Sequence, residues 1–193
     1  MYGAPAFPLG SEPDMNLDFQ HISVEKSDSL FVLLPEHVTD SYVSWLNAPE
    51  INRYLESRFV THTVESTRAF VASVLASPNS LFLGIKSHQL CRHVGNIKLG
   101  PIDPHHETGD IGILIGDKAA WGKGMATSAI ETVCEIARNR LNLRKLTACC
   151  CASNAGSQRA FEKVGFVVEG VRRAQYLLDG VPEDQVLMGR VLR

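Results

Sequence analysis

The chain has 193 residues, 45% hydrophobic and 21% charged, with a formal charge of −2; this is enough chain for a buried core and an ordinary composition for a globular protein. The near-neutral balance excludes the basic footprint of a nucleic-acid or anionic-membrane binder. No apolar run approaches the length of a membrane span, and the first eight residues, MYGAPAFP, lack the basic and apolar regions of a signal peptide.

Residues 1–25 carry Gly3, Pro5, Pro8, Gly10 and Pro13. They read as an irregular arm, with a short strand over 19–24. The remainder, 26–193, reads as one domain. SLFVLL (29–34) is a buried-type strand that Pro35 breaks. Val38, Tyr42, Val43 and Leu46 share one face of a helix over 38–46, and Pro49-Glu50 opens a second short helix ending at Tyr54 or Leu55. A third helix, 63–76, has Thr63 as its cap and Ser66 where a capping box takes Glu or Gln; Phe70, Val71, Val74 and Leu75 form its apolar face. LFLGIK (81–86) and RHVGNIKL (92–99) read as antiparallel strands, and PIDPHHE (101–107) as a polar loop.

A central strand carrying Ile111, Ile113, Leu114 and Ile115 follows. It runs through Gly116-Asp117-Lys118 into Trp121-Gly122-Lys123-Gly124-Met125-Ala126, and then into a helix. Ala126, Ile130, Val133, Cys134, Ala137 and Leu141 mark that helix's buried face. Strand, glycine turn and helix make a phosphate cradle, because the first backbone N–H groups of a helix lack partners and glycine lets an anion come close. The same segment also reads as a tight turn onto a packed helix. It is not a P-loop, since Lys123 precedes Gly124 rather than Ser or Thr. It is not a dinucleotide fingerprint either, since Thr127 stands in place of the third glycine.

The strand at 145–151 and a short helix after Asn154 come next, then a strand at 167–170, VRRAQY (171–176), the turn Asp179-Gly180 and a last strand at 184–191. The order is β-α-α-α-β-β-β-α-β-α-β-β. It predicts an α/β fold: a mixed, mostly antiparallel sheet with helices on both faces and the glycine loop at the carboxyl end of a central strand. Of the five cysteines, Cys149, Cys150 and Cys151 are consecutive in a strand and alternate between its faces, so they cannot converge on a metal. We read all five as reduced thiols of a cytoplasmic protein, and expect no metal site.

The segment from Trp121 to Ala126 resembles the [RQ]xxGx[GA] pyrophosphate loop of the GNAT superfamily of N-acetyltransferases, with Trp121 in place of the usual Arg or Gln. An aromatic there resembles the branch that acetylates ribosomal-protein N-termini. KLTACCCASNAGSQRAFEKVGF (145–166) resembles the family's second signature, with Asn154, Ser157, Glu162, Lys163, Gly165 and Phe166 in matching places. The resemblance covers roughly residues 30–191.

The resemblance implies an acetyl-CoA-dependent N-acetyltransferase in which the central strand and the next one splay apart around the pantetheine. The edge of Ile113, Leu114 and Ile115 would pair with its amides, and the backbone from Trp121, Gly122, Lys123, Gly124, Met125, Ala126 to Thr127 would hold the pyrophosphate. Asn154 would bond the pantetheine arm or only cap its helix; Lys123, Arg159 and Lys163 would meet adenosine phosphates or only solvent. Many members carry a catalytic Tyr where this chain has Phe161, which leaves Ser157 as thiolate partner. Asp110 is the candidate base, with His105, His106 and Glu107 as runners-up; Gln175 has an amide where the branch can carry an acid, and Glu169 is a further carboxylate. Trp45, Tyr54, Glu56 and Arg58 on the first helical pair, with Tyr176, are candidate acceptor contacts, or else core aromatics and a solvated ion pair. The acceptor would be a protein N-terminus or a small amine such as a nucleotide-linked amino sugar. A homodimer is expected by resemblance alone. The rival reading is an acyl-CoA-binding module without catalysis.

Overall fold

The computed structural model describes residues 29–193; the arm over 1–25 and its strand over 19–24 lie outside them. Among the described residues the elements follow the predicted order: β1 (Leu30–Val32), α1 (Asp40–Asn47), α2 (Pro49–Asn52), α3 (Val64–Leu75), β2 (Leu81–Ser87), β3 (Arg92–Asp103), β4 (Thr108–Ile115), α4 (Met125–Asn139), β5 (Lys145–Cys151), α5 (Ala155–Lys163), β6 (Val167–Leu178) and β7 (Val181–Val191). The strands form one sheet in the order β1-β2-β3-β4-β5-β7-β6. Every neighbouring pair is antiparallel except β4–β5.

Alternation along the strands sends side chains to two cores. Leu81, Leu83 and Ile85 of β2 pack with Ile130, Val133 and Ala137 of α4 and Phe161 of α5 on one face. Phe82 and Leu114 pack with Tyr42, Trp45 and Leu46 of α1 and Val71 of α3 on the other. Helices therefore cover both faces.

Several boundaries differ from the sequence reading. The helix over 38–46 begins at Asp40, because the hydroxyl of Thr39 caps the amide of Tyr42. The second helix is one turn long and gives way to a 3₁₀ turn, Glu56–Phe59. Serine closes the capping box of α3: Ser66 accepts from the Thr63 amide at 2.9 Å while Thr63 accepts from Ser66 at 3.1 Å. Phe70, expected on the buried face of α3, is exposed, and Thr67 is buried instead. The polar loop over 101–107 is shorter than expected: β3 runs through a cis Gly100–Pro101 bond to Asp103, leaving a four-residue turn over 104–107 before β4 starts at Thr108. β6 is one continuous strand with two register shifts rather than a short strand and a lead into the turn. The Asp179-Gly180 hairpin is as predicted, with both residues at positive φ.

The feature that positions the site is the parting of β4 from β5. They pair at Thr108–Lys145, Gly109–Leu146 and Asp110–Thr147 only. Beyond Asp110, β4 continues on β3 as far as Ile115, and β5 continues on β7 as far as Cys151. Each strand is held by its outer neighbour, so a wedge with an unpaired β4 edge opens between them. At its apex the Thr147 hydroxyl donates to the Asp110 carboxylate.

Candidate active site

Both parallel strands lead into helices at the open end of the wedge. The N-terminus of α5 is capped by Asn154, whose side-chain oxygen accepts from the Ser157 amide at 3.2 Å. The N-terminus of α4 has no side-chain cap. Its N-cap is Gly124, at φ 77°, and Gly122 stands at φ 71°; a Cβ built on either would meet no atom within 4 Å. Uncapped helical amides facing open space, reached through glycines in the left-handed region, fit a pyrophosphate. Gly122, Lys123 and Gly124 form this loop, and Met125, Ala126 and Thr127 the first turn of α4 behind it.

Local bonds explain how the loop is held. The amides of Gly116 and Asp117 both donate to the Val94 carbonyl, at 2.9 and 3.0 Å, and Asp117 caps the 3₁₀ turn Lys118–Ala120. The Trp121 indole donates to the Ile115 carbonyl at 2.8 Å, so the residue in the Arg/Gln place buckles the loop back onto the end of β4. Lys123 and Arg159 are exposed.

On the α5 side, Ser157 is half-buried in the first turn, while Phe161 is 2% exposed and stacks edge-on with Phe166 at 5.0 Å. The structure thus gives Phe161 to the core. Cys150 and Cys134 are also buried, which pushes both thiols up to about 11 and leaves them protonated and inert. Cys149, just past the apex on β5, is exposed. Among the described residues no group of three or more His, Cys, Asp or Glu is placed to hold a metal.

The acceptor side brings together four of the five predicted residues. The Tyr54 hydroxyl donates to the Ser153 carbonyl at 3.3 Å, joining the first helical pair to the β5–α5 turn. Arg58 pairs with Glu56 at 3.1 Å, lies over the Phe59 ring, and donates to the Leu177 carbonyl at 3.1 Å on β6. Tyr176 accepts from Gln185; burial, the largest cause, with Cys149 and Glu56 beside it, pushes its phenol up to about 12. Trp45 does not join them. It is 7% exposed and fills the space over Gly116, in the core with Tyr42.

Of the carboxylate candidates, Asp110 stands at the wedge apex. His105, His106 and Glu107 sit in the turn at the opposite end of β4, where both His amides donate to Asp103. Glu169 lies across Gly189 and pairs with Lys145 at 2.7 Å; Gln175 is exposed in the second register shift of β6. Sequence reasoning missed Thr147, Ser153 and Gln185, which bond to Asp110, Tyr54 and Tyr176, and Glu183, which accepts from the Ser153 amide; these are bonds between separate elements that no local pattern marks.

Residues 30–167 match the family described as acetyltransferase (GNAT) domain. YjcK of Bacillus subtilis, named a probable N-acetyltransferase, is 38% identical over 82 residues, 42% of this chain and 45% of its own. YdaF of the same organism, named as a candidate ribosomal N-acetyltransferase, is 30% identical over 92 residues, 48% of this chain and 50% of its own. The chain thus matches about half the length of these curated relatives. The solved spermidine N-acetyltransferase of Vibrio cholerae, in complex with CoA and spermine, superposes with a TM-score of 0.76 at 19% identity, over 85% of this chain and 95% of that one; the likeness is one of fold. A family match over most of the chain, a wedge between parallel strands and an uncapped glycine cradle at its mouth agree: the chain belongs to the GNAT acetyltransferase family.

Proposed function

We propose that this protein is an acetyl-CoA-dependent N-acetyltransferase that moves an acetyl group to a primary amine by direct attack on the thioester. The observation that carries the reading is the α4 N-terminus, uncapped and open in front of Gly122 and Gly124, at the end of a β4 edge freed by the parting of β4 from β5. In this reading the α4 amides hold the pyrophosphate and the edge of Ile113 to Ile115 binds the pantetheine amides by strand addition. Asn154 binds the pantetheine arm through the half of its amide not used in capping. The Ser157 hydroxyl meets the departing thiolate, Asp110 draws a proton through water, and Tyr54, Glu56, Arg58 and Tyr176 border the amine. Positioning supplies most of the rate.

The acceptor is a protein N-terminus or a small amine, the compartment is the cytoplasm, consistent with five free cysteines, and the protein works as a homodimer. The test is calorimetric titration with acetyl-CoA beside Gly124→Glu, which puts a carboxylate into the cradle. Micromolar binding by wild type, lost in a folded variant, is the expected result. Equal binding by both would remove the cradle from the account. Binding without transfer to any amine of a peptide and amino-sugar panel would make this an acyl-CoA-binding module instead.

A further inference from the structure

Carrying the β4–β5 register two residues past its last rung sets Gly112 opposite Cys149 across the wedge. A Cβ on Gly112 would meet nothing within 4 Å, so the middle of the wedge is open in front of it. Cys149 is exposed there, and the hydroxyl of Tyr176 lies against its thiol. A phenol from β6 therefore stands beside the middle of the gap, whereas the ring of Phe161 on α5 is buried in the core.

The hydroxyl is also directed. Gln185, 6% exposed, donates its amide N–H to the Tyr176 oxygen. Arg172 donates to the other end of the Gln185 amide at 3.3 Å, which decides that the nitrogen faces Tyr176. With its oxygen engaged as acceptor, Tyr176 points its hydrogen away from Gln185, toward Cys149 and the gap. A thiol sulfur is a weak acceptor, so an incoming oxygen can displace it. The strand is shaped for this. Arg173, Ala174 and Gln175 stand between the rungs Arg172–Gln185 and Tyr176–Glu183, against Asp184 alone on β7. Asp184 pins the bulge by accepting from Arg173 at 2.6 Å and from the amide of Ala174, a residue at φ 49°, at 2.8 Å. Bulges of this kind re-aim a side chain beside an active site.

We propose that Tyr176 is a catalytic donor to the thioester carbonyl oxygen, directed by Gln185 and Arg172. This rests on the acetyl-transfer reading. As the amine nitrogen bonds to the carbonyl carbon, the C=O electron pair moves to the oxygen, where the Tyr176 O–H stabilises it. When C=O re-forms, the C–S bond breaks and its electron pair leaves on sulfur; the nitrogen gives its proton to water or the thiolate, and Tyr176 keeps its own. A half-buried phenol pushed up to about 12 suits that role. Handing its proton outright to a thiolate, whose thiol titrates near ~8.5, would run uphill, whereas a hydrogen bond needs no transfer.

The experiment uses acetyl-CoA labelled with ¹³C at the carbonyl, bound to wild type, Tyr176→Phe and Gln185→Leu, and reads the carbonyl stretch by isotope-edited infrared spectroscopy beside calorimetry. Tyr176→Phe is expected to keep the wild-type Kd within about twofold while the band moves to higher wavenumber, with kcat toward any amine that wild type acetylates falling about 10²-fold. Gln185→Leu, which keeps the hydroxyl but not its direction, should shift the band part of the way. An unchanged band in a Tyr176→Phe protein that binds acetyl-CoA overturns this proposal and leaves the acetyltransferase reading standing. Failure of wild type to bind acetyl-CoA overturns both.

Discussion

Gly116 and His93 show how single residues set the site's frame. A Cβ at Gly116 would stand 2.1 Å from the Trp45 ring, which is itself buried and cannot move aside. Gly116→Ala is expected to destabilise the fold by about 1–3 kcal/mol, read as a lower denaturant midpoint, and to weaken acetyl-CoA binding because the cradle hangs from that turn. His93 lies edge-on to Phe31, Tyr42 and Trp45, and its Nε2–H faces two acceptors, the Gly95 carbonyl at 2.7 Å and the Asn96 side chain at 2.9 Å. Burial, the largest cause, lowers its pKa; the bonds to Asn96 and Gly95 oppose this, and His37 adds to it. An unfolded histidine titrates near ~6.5, so below that pH the unfolded chain binds the proton that the folded one refuses. Stability is therefore complete above about pH 7 and falls as pH drops through the window below ~6.5. Urea titrations should show that slope in wild type and a shallower one in His93→Gln; identical slopes would rule His93 out as its source. The acceptor-side aromatics were ambiguous in sequence for a related reason. Trp45 lies on α1 and Tyr54 in the turn just after α2, and packing against Gly116 draws Trp45 inward while Tyr54 spans to Ser153.

At the scale of elements, α4 and α5 start at the open ends of two parallel strands, yet one is capped and the other is not. Asn154 separates two roles cleanly. Asn154→Ala should cost about 1 kcal/mol through the lost cap. Asn154→Asp keeps the capping oxygen but loses the amide N–H₂. If that group binds the pantetheine arm, Asn154→Asp will match wild type in thermal stability and bind acetyl-CoA several-fold more weakly; unchanged affinity would reduce Asn154 to a cap. The cap itself was legible, as was the Thr63 cap, because such bonds span three residues. The ends of β3, β6 and β7 were not. Pro101, Pro182 and the Arg173–Gln175 stretch look like strand breakers locally, and cross-strand bonding carries the ladder through or around them.

For the molecule as a whole, the proposed strand addition in the wedge would make the cofactor part of the sheet. Acetyl-CoA that binds only the folded state at 100 times its Kd should stabilise by about 2.7 kcal/mol, which for a domain of this size raises Tm by about 5–11 °C. Scanning calorimetry should show this shift in wild type and its absence in Gly124→Glu. The predicted acceptor wall is tied to both sides of the wedge, by Lys118–Glu50 to the cradle and by Arg53–Asp179 to the β6–β7 hairpin, each at 3.1 Å. These are exposed pairs of small individual worth.

The type and order of the described α-helices and strands, the glycine segment, the two helix caps and the Asp179-Gly180 hairpin were present in the sequence by itself, because periods of 2 and 3.6, capping bonds and turn conformations are decided within a few neighbouring residues. Only the tertiary structure decided that β7 inserts between β5 and β6, that β4 leaves β5 after Asp110, and that Tyr176 meets Gln185 and Cys149. Those outcomes depend on which strand edge finds which partner and on where a bulge falls, which are contacts between residues far apart in the chain that no local pattern encodes.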